Sequence, residues 1–243
     1  ILDCTLRDGG YYTNWDFKPQ LVDKYLKAVE ELPIDYIEIG YRNLKQSVYK
    51  GEFFYTPLET LKKVKSLTSK SIVLIIDEKN LSEDDIKQVI EPCVEYIEMI
   101  RIAIDPKRFD FGIKKASVVR KLGYKVAFNV MYLSKWIDDN SFHKKLNGLE
   151  KHVDYLYLVD SYGSVYPEDI NRVVKKIRLI TPVTLGFHGH NNMELAMANS
   201  IEAVSSGVEI IDATILGMGR GAGNLKTELL LTQISKTQEI DFN

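Results

Sequence analysis

Two histidines separated by one glycine, His188 and His190, are the strongest chemical signal in the sequence. In a strand, side chains two residues apart point to the same face, so both imidazoles could reach one ion. Neutral imidazole is a good ligand for divalent first-row metals. The chain has only four histidines. That two of them fall here favours a metal site over the alternative, a pair of polar side chains hydrogen-bonded to loop backbone.

Asp8 is the predicted third ligand, because it follows the first predicted strand while the histidines end the seventh. In a closed barrel these two strands are separated only by the eighth. A carboxylate beside two imidazoles suits Mn²⁺ or Mg²⁺, with Zn²⁺ or Co²⁺ as further candidates. Asn224, in the turn after the eighth predicted strand, could add an oxygen near the metal.

Arg7 is a candidate catalytic residue because it precedes the predicted metal ligand Asp8. A guanidinium beside a metal would stabilise an enolate oxygen, where negative charge develops in retro-aldol chemistry. The alternative is a rim ion pair of small energy. Glu38, after the second predicted strand, could orient Arg7 or a metal-bound water, or could pair with Arg7 for structure alone. The sequence leaves both interpretations open.

Other candidate site residues follow the remaining predicted strands. Asn129, Ser161 and Gly219 are candidate substrate contacts, and Tyr11 is a candidate proton shuttle. Residues 217–224 loosely match a dinucleotide fingerprint, but that motif belongs after the first strand of an open sheet. This glycine-rich turn could bind a phosphate or carboxylate, or its glycines could simply serve a tight turn with positive φ.

Eight short apolar runs predict the elements that position these side chains. They are spaced about 30 residues apart, the length of a strand–helix unit, and cover residues 1–6, 36–40, 71–77, 96–102, 125–132, 155–160, 183–187 and 209–213. The segments between them carry apolar stripes of helical period: Leu21, Val22, Tyr25, Leu26 and Val29; Ile170, Val173, Val174 and Ile177; and Leu195, Ala198, Ile201 and Val204. This alternation predicts an α/β fold, a closed (β/α)8 TIM barrel, with an open doubly wound sheet as the competing layout. Barrel enzymes gather function at the C-terminal strand ends, where the candidate residues lie.

The composition narrows the function classes. The chain has 243 residues, 45% hydrophobic, and 32 basic against 34 acidic side chains give a net charge of −2. We therefore expect one domain over residues 1–243, no nucleic-acid partner and no membrane partner. Two cysteines exclude a disulfide framework, and with no signal-peptide pattern we expect a cytoplasmic protein. Cys4 is predicted to pack in the core, and His143 and His152 to be solvated on the fifth helix.

Taken together, the motifs resemble the DRE-TIM metallolyases, a family of aldolase and acyltransferase barrels. The resemblance rests on residues 3–9, 37–40, 186–192 and 217–224 and spans essentially the whole chain. It is closest to the 4-hydroxy-2-oxovalerate aldolases. It implies that Asp8, His188 and His190 hold a divalent ion, that Arg7 polarises the enolate, and that Asn224 lies in or near the metal shell.

Departures from the family pattern leave three hypotheses. Gly9 stands where the condensing members have glutamate, and Tyr11 where the 4-hydroxy-2-oxovalerate aldolases have a catalytic histidine. The first hypothesis is an aldolase that cleaves a small 4-hydroxy-2-oxoacid to pyruvate and an aldehyde. The alternatives are a Claisen-type condensing enzyme using acyl-CoA and a catalytically silent binding barrel. A homodimer is a candidate assembly.

Overall fold

The protein folds into a closed barrel of eight parallel strands, each paired with the next in chain order and the last with the first. The computed structural model describes residues 1–238. The strands are β1 Leu2–Asp3, β2 Tyr36–Tyr41, β3 Ser71–Asp77, β4 Met99–Ile104, β5 Lys125–Val130, β6 Tyr155–Asp160, β7 Thr184–Gly189 and β8 Ile210–Ala213. The predicted (β/α)8 TIM barrel is thereby confirmed over the competing open sheet.

Helices follow the strands; the longer ones cover the outside of the barrel, and short ones such as Thr5–Asp8 lie in the loops at strand ends. Their bounds are α1 Thr5–Asp8, α2 Gly10–Thr13, α3 Pro19–Glu30, α4 Glu52–Tyr55, α5 Leu58–Leu67, α6 Glu83–Ile90, α7 Phe109–Lys121, α8 Leu133–Trp136, α9 Asn140–Lys145, α10 Pro167–Arg178, α11 Ala196–Ser205 and α12 Thr227–Gln238. Within the described residues no helix is long and apolar enough to cross a membrane. The end of the predicted domain, residues 239–243, lies outside the described residues, and the one-domain organisation stays a prediction.

The predicted apolar stripes meet different outcomes. On α10 all four stripe residues are buried, and on α3 four of the five are, while Leu21 is 55% exposed. On α11 the stripe is wrong, because Ile201 and Val204 face outward and Ala196, Asn199, Ser200 and Ala203 are buried instead. Small side chains allow α11 to approach the barrel closely, and the Asn199 amide donates to the Val165 carbonyl.

The first strand is shorter than predicted, and this difference shapes the site. Residues 1–6 were expected to be extended, but β1 ends at Asp3 and Thr5–Asp8 form a helical turn. The Asp3 carboxylate accepts the Thr5 N–H at 2.9 Å and the Tyr25 hydroxyl at 2.7 Å, which starts the turn just past the strand. The turn buries Arg7 and Asp8 at the barrel mouth.

Three further expectations concern Cys4, His143 and His152. Cys4 is fully buried, as predicted for a packing residue. His143 was expected to be solvated, but it is only 2% exposed. It lies on α9, where its ring is nearly perpendicular to that of Trp136 with the ring centres 6.0 Å apart. His152, partly exposed, lies in a turn rather than on a helix.

Candidate functional site

The three predicted metal ligands meet at the C-terminal end of the barrel. Asp8 comes from α1, His188 from β7, and His190 from the residue just beyond that strand. One ligand atom from each side chain lies within 4.8 Å of the other two, and all three residues are buried. Two imidazoles and a carboxylate in this arrangement form a donor set that a divalent first-row cation can use.

Asn224 closes the site from the turn after β8. It forms an isolated bridge with His190, and its side-chain amide donates to Asp8 Oδ2 at 2.6 Å and to the Met218 carbonyl. Its other side-chain atom, Oδ1, is buried with no hydrogen-bond partner among the described residues. Buried polar atoms are nearly always satisfied. This unsatisfied oxygen belongs to a side chain that contacts Asp8, and an amide oxygen is a donor that a divalent cation can use.

His188 is oriented by an aspartate that the sequence analysis missed. His188 Nδ1 lies 2.8 Å from Asp212 Oδ2, while Nε2 faces Asp8 at 3.4 Å. A carboxylate that accepts from one ring nitrogen fixes the tautomer and leaves the other nitrogen free to bind a metal. Asp212 is fully buried on β8. A lone acidic residue inside an apolar strand was the sequence signal that could have found it.

The three proposed ligands differ in protonation. Burial would lower the pKa of His188, but its hydrogen bonds with Asp212 and Asp8 raise it, so a metal bound at this ring would displace a proton. Burial would raise the pKa of Asp8, but the adjacent Arg7 charge and the His188 hydrogen bond hold it well below its usual range. Burial and the neighbouring His188 lower the pKa of His190 to about 3. Asp8 is therefore a carboxylate and His190 a neutral imidazole near neutral pH. These are the protonation states that bind metal.

A second group of potential ligands, Cys4, His188 and Asp212, shares the site but is less suited to a metal. Burial raises the pKa of the Cys4 thiol well above its ordinary value, which disfavours the thiolate that would bind a metal. Asp212 is also held by the buried Arg101, at 2.5 Å. The set built on Asp8 is the better candidate.

Arg7 and Glu38 belong to a buried charge network under the site. Arg7 donates to Asp8 at 2.6 Å and to Glu38 on β2. The other Glu38 oxygen lies 3.1 Å from Arg101, a fully buried residue of β4 that the sequence analysis also missed. Arg101 in turn donates to Asn129 at 2.8 Å. Glu38 therefore sits between two arginines and, with no exposed surface, contacts the site through Arg7.

A cavity of about 150 Å³ opens above this network. It is smaller than the roughly 300–1,000 Å³ of pockets for drug-sized ligands, which suits a small substrate. Predicted site residues that line it are Arg7, Asp8, Tyr11, Asn129, Ser161, His188 and His190, and the residues not predicted are Tyr41, Ile75, Asp77, Lys79, Ala103, Met131, Tyr132, Val159 and Arg220.

Three predicted site residues do not line the cavity: Glu38, Gly219 and Asn224. At Gly219 a Cβ would come within 2.3 Å of the Asn224 amide, so this glycine makes room for the Asn224 side chain. Its predicted substrate contact stays a prediction. The φ of Gly217 is 68° and that of Gly223 is 83°, so a tight turn accounts for these glycines. Anion binding by this turn remains untested.

Comparison with known protein families identifies the family of this chain. The HMGL-like family matches residues 1–242. The chain belongs to the HMGL-like family, the DRE-TIM metallolyases. This confirms the resemblance inferred from the motifs.

Two curated relatives of this chain are named as enzymes that act on 2-oxoacids. It is 27% identical over 237 residues to oxaloacetate decarboxylase of Mycobacterium tuberculosis, covering 97% of this chain and 70% of that protein. It is 28% identical over 241 residues to 4-hydroxy-2-oxovalerate aldolase of Geobacillus stearothermophilus, covering 97% of this chain and 69% of that protein. The family and these names indicate a lyase of aldolase type, and family members use a divalent metal ion.

Solved structures agree with the fold. The N-terminal domain of a Bacteroides vulgatus protein, named as an aldolase without a stated substrate, superposes with a TM-score of 0.97 at 48% identity, covering all of this chain and 81% of that one. The carboxyl transferase domain of Rhizobium etli pyruvate carboxylase, solved with pyruvate, gives a TM-score of 0.78 at 15% identity over 96% of this chain and 42% of that one. The second likeness shows the fold alone.

Proposed function

We propose that this HMGL-like protein is a divalent-metal-dependent carbon–carbon lyase that cleaves a 4-hydroxy-2-oxoacid to pyruvate and an aldehyde. The observation that carries the proposal is the convergence of Asp8, His188 and His190 beside the Arg7 guanidinium at the base of a small cavity. The retro-aldol reaction breaks the C3–C4 bond and leaves its electron pair as an enolate. It therefore needs positive charge at the 2-oxo oxygen.

Asp8, His188 and His190 would hold the ion, with Asn224 Oδ1 as the further oxygen. When bound, a divalent ion supplies Lewis-acid polarisation of the 2-oxo group. We propose Mn²⁺ or Mg²⁺, with Zn²⁺ or Co²⁺ as further candidates. Asp212 holds the His188 ring in the orientation that directs Nε2 at the site.

Arg7 is the proposed stabiliser of the enolate oxygen. Its Nε donates to Glu38 and its Nη1 to Asp8. Within the described part of the chain, Nη2 makes no hydrogen bond, and Arg7 lines the cavity. A guanidinium fixed on two sides can present its remaining donor to substrate without further ordering. Glu38 is therefore a positioning residue, acting through Arg7.

Tyr11 is the proposed proton shuttle for the 4-hydroxyl group. Its ring lines the cavity, and its hydroxyl lies 3.2 Å from the hydroxyl of Tyr41. A pair of phenols can pass a proton from the substrate hydroxyl toward solvent as the bond to C4 breaks. Asn129 and Ser161, on the opposite wall, are proposed to contact the substrate.

The alternatives have less support. The small cavity favours a small 2-oxoacid over the acyl-CoA of a Claisen-type condensation. A silent binding barrel does not account for the convergence of Asp8, His188 and His190 in one buried donor set. The homodimer and the cytoplasmic location remain predictions.

The proposal is tested by pyruvate release from 4-hydroxy-2-oxoacids, coupled to lactate dehydrogenase, with Mn²⁺ or Mg²⁺ present. The H188A variant should bind no metal in the site, by direct Mn²⁺ titration, and should lose pyruvate release by at least about 100-fold. H152A changes a partly exposed histidine outside the site and should retain both. Turnover that survives H188A would overturn the mechanism.

A further inference from the structure

Two cations at the mouth of the cavity have no ionic partner. Lys79 follows β3 and Arg220 follows β8, and both are exposed side chains that line the cavity. Among the described residues neither has a carboxylate oxygen within 4.0 Å, whereas Arg7 is bound by Asp8 and Glu38. Two unmatched positive charges over an enclosed site attract an anion from solution.

The strand order places these cations on either side of the proposed metal site. The barrel runs β8, β1, β2, β3, so the β1 loop with Arg7, Asp8 and Tyr11 lies between Arg220 and Lys79. The Arg220 guanidinium lies 5.8 Å from the centre of the Tyr11 ring. Arg220 therefore lies at the cavity mouth, next to Tyr11, the proposed proton shuttle.

Asp77 is the carboxylate that could compensate these charges, since it also lines the cavity. Its carboxylate accepts from the Asn80 amide at 2.9 Å. Burial raises the pKa of Asp77, and the charges of Lys79, Arg7 and Arg220 oppose that rise without forming an ion pair within 4.0 Å of it. One partly buried carboxyl group against two cations leaves positive charge at the mouth.

We propose that Arg220 and Lys79 form a subsite for a second anionic group, so that the substrate is a 2-oxoacid with a negatively charged distal end. The 2-oxo and C1 carboxylate groups bind at the base of the cavity, and the distal carboxylate meets Arg220, with Lys79 adding a longer-range attraction. Arginine is suited to the main contact because its planar donors match a carboxylate bidentately. The inference rests on the proposed function, because that function places the 2-oxo end of the substrate at the metal ligands and so directs its distal end toward the cavity mouth.

Binding of two matched ligands tests the subsite without turnover. 2-Oxoglutarate and 2-oxovalerate have the same five-carbon chain and differ in a carboxylate or a methyl group at the far end, and neither carries the 4-hydroxyl needed for cleavage. Calorimetry in Mn²⁺ at one fixed ionic strength should show 2-oxoglutarate binding about 10- to 100-fold tighter, the effect of a charged hydrogen bond. Equal affinities in the wild-type protein would overturn the proposal.

Variants assign the selectivity to residues. R220M should lower the affinity for 2-oxoglutarate by about 10-fold and leave that for 2-oxovalerate within about twofold. K79M should have a smaller effect of about threefold, because a flexible, strongly hydrated ammonium gains less from the contact. K135M removes another exposed cation, which lies over the Tyr132 ring but does not line the cavity, and should preserve the selectivity. Selectivity that persists in the R220M/K79M double variant would overturn the assignment.

The outcomes separate this inference from the proposed function. Cleavage of 4-hydroxy-2-oxoacids with no preference for the dicarboxylate would leave the lyase standing and contradict the anion subsite. Selective binding of 2-oxoglutarate, lost in R220M, without cleavage of any 4-hydroxy-2-oxoacid would support the subsite and contradict the retro-aldol activity.

Discussion

At the scale of single residues, Asp212 connects the proposed metal ligands to the barrel interior. It accepts from His188 on one side and from the buried Arg101 on the other. Arg101 also reaches Asn129 and Glu38, and its guanidinium packs over the Tyr157 ring at 4.0 Å. Buried charges of this kind are costly unless each is paired. The geometry of the ligands therefore depends on residues that do not contact substrate.

The D212N variant tests this dependence. Replacing the carboxylate by an amide weakens the hold on the His188 ring, and loss of such a partner typically lowers metal affinity about 10- to 100-fold. Mn²⁺ titration should show that loss, with circular dichroism confirming that the variant is folded. D16N changes a carboxylate paired with the exposed Tyr49 and should bind Mn²⁺ as the wild-type protein does. Unchanged affinity in D212N would contradict an orienting role.

Sequence patterns predicted this site unevenly. The proposed ligands could be predicted because their residue types bind metals and their positions follow predicted strands. These residues are Asp8, His188 and His190. Arg101 and Asp212 were not predicted, although a charge within an apolar strand is visible in the sequence. What the sequence does not display is the partner across the barrel, since Arg101 of β4 meets Glu38 of β2 and Asp212 of β8 only after the barrel has closed.

At the scale of elements, α9 carries an unusual buried histidine. His143 is 2% exposed, and neither ring nitrogen has a hydrogen-bond partner among the described residues. Burial and the nearby Lys176 lower its pKa. The folded protein therefore disfavours the protonated form of His143.

This burial predicts a pH-dependent stability. An unfolded histidine takes up a proton below about pH 6.5. Because the folded-state pKa is lower, the free energy of unfolding should fall as pH decreases from about 6.5, by at most about 1.4 kcal/mol per pH unit from this residue. Urea unfolding at pH 7.5 and 5.5 should show a smaller loss in H143L than in the wild-type protein.

The control for this prediction is H152L, which replaces the partly exposed histidine of the following turn. It should keep the pH dependence of the wild-type protein. An H143L variant that loses as much stability as the wild-type protein between the two pH values would show that His143 is not the group responsible.

At the scale of the whole molecule, the site joins the first and the last parts of the chain. Asp8 comes from the first turn of the chain, and His188, His190 and Asn224 come from its last quarter. The same region is tied by Thr227 of α12, whose hydroxyl donates to Asp3 at 2.8 Å. A cation bound by these groups would stabilise only the closed barrel, because the unfolded chain does not bring the ligands together.

Metal should therefore raise the melting temperature. Mn²⁺ at about 100 times its Kd adds about 2.7 kcal/mol, and a chain of this length gains about 2–4 °C per kcal/mol. Differential scanning fluorimetry should show a rise of about 5–10 °C that a chelator reverses. H188A should show almost none of this shift, and a shift in H188A equal to that of the wild-type protein would contradict metal binding at this site.

The sequence by itself determined the barrel and the side of the barrel on which chemistry gathers. Strand–helix periodicity and residue types at strand ends are local properties, set by backbone sterics and side-chain polarity. Only the tertiary structure decided that Thr5–Asp8 turns inward as a helix, that α11 buries its small face, that Glu38 lies between two arginines, and that Arg220 and Lys79 flank one cavity. These outcomes depend on which distant side chains come into contact when the barrel closes. Burial then determines how strongly each contact affects stability, because charges and polar groups interact more strongly away from water.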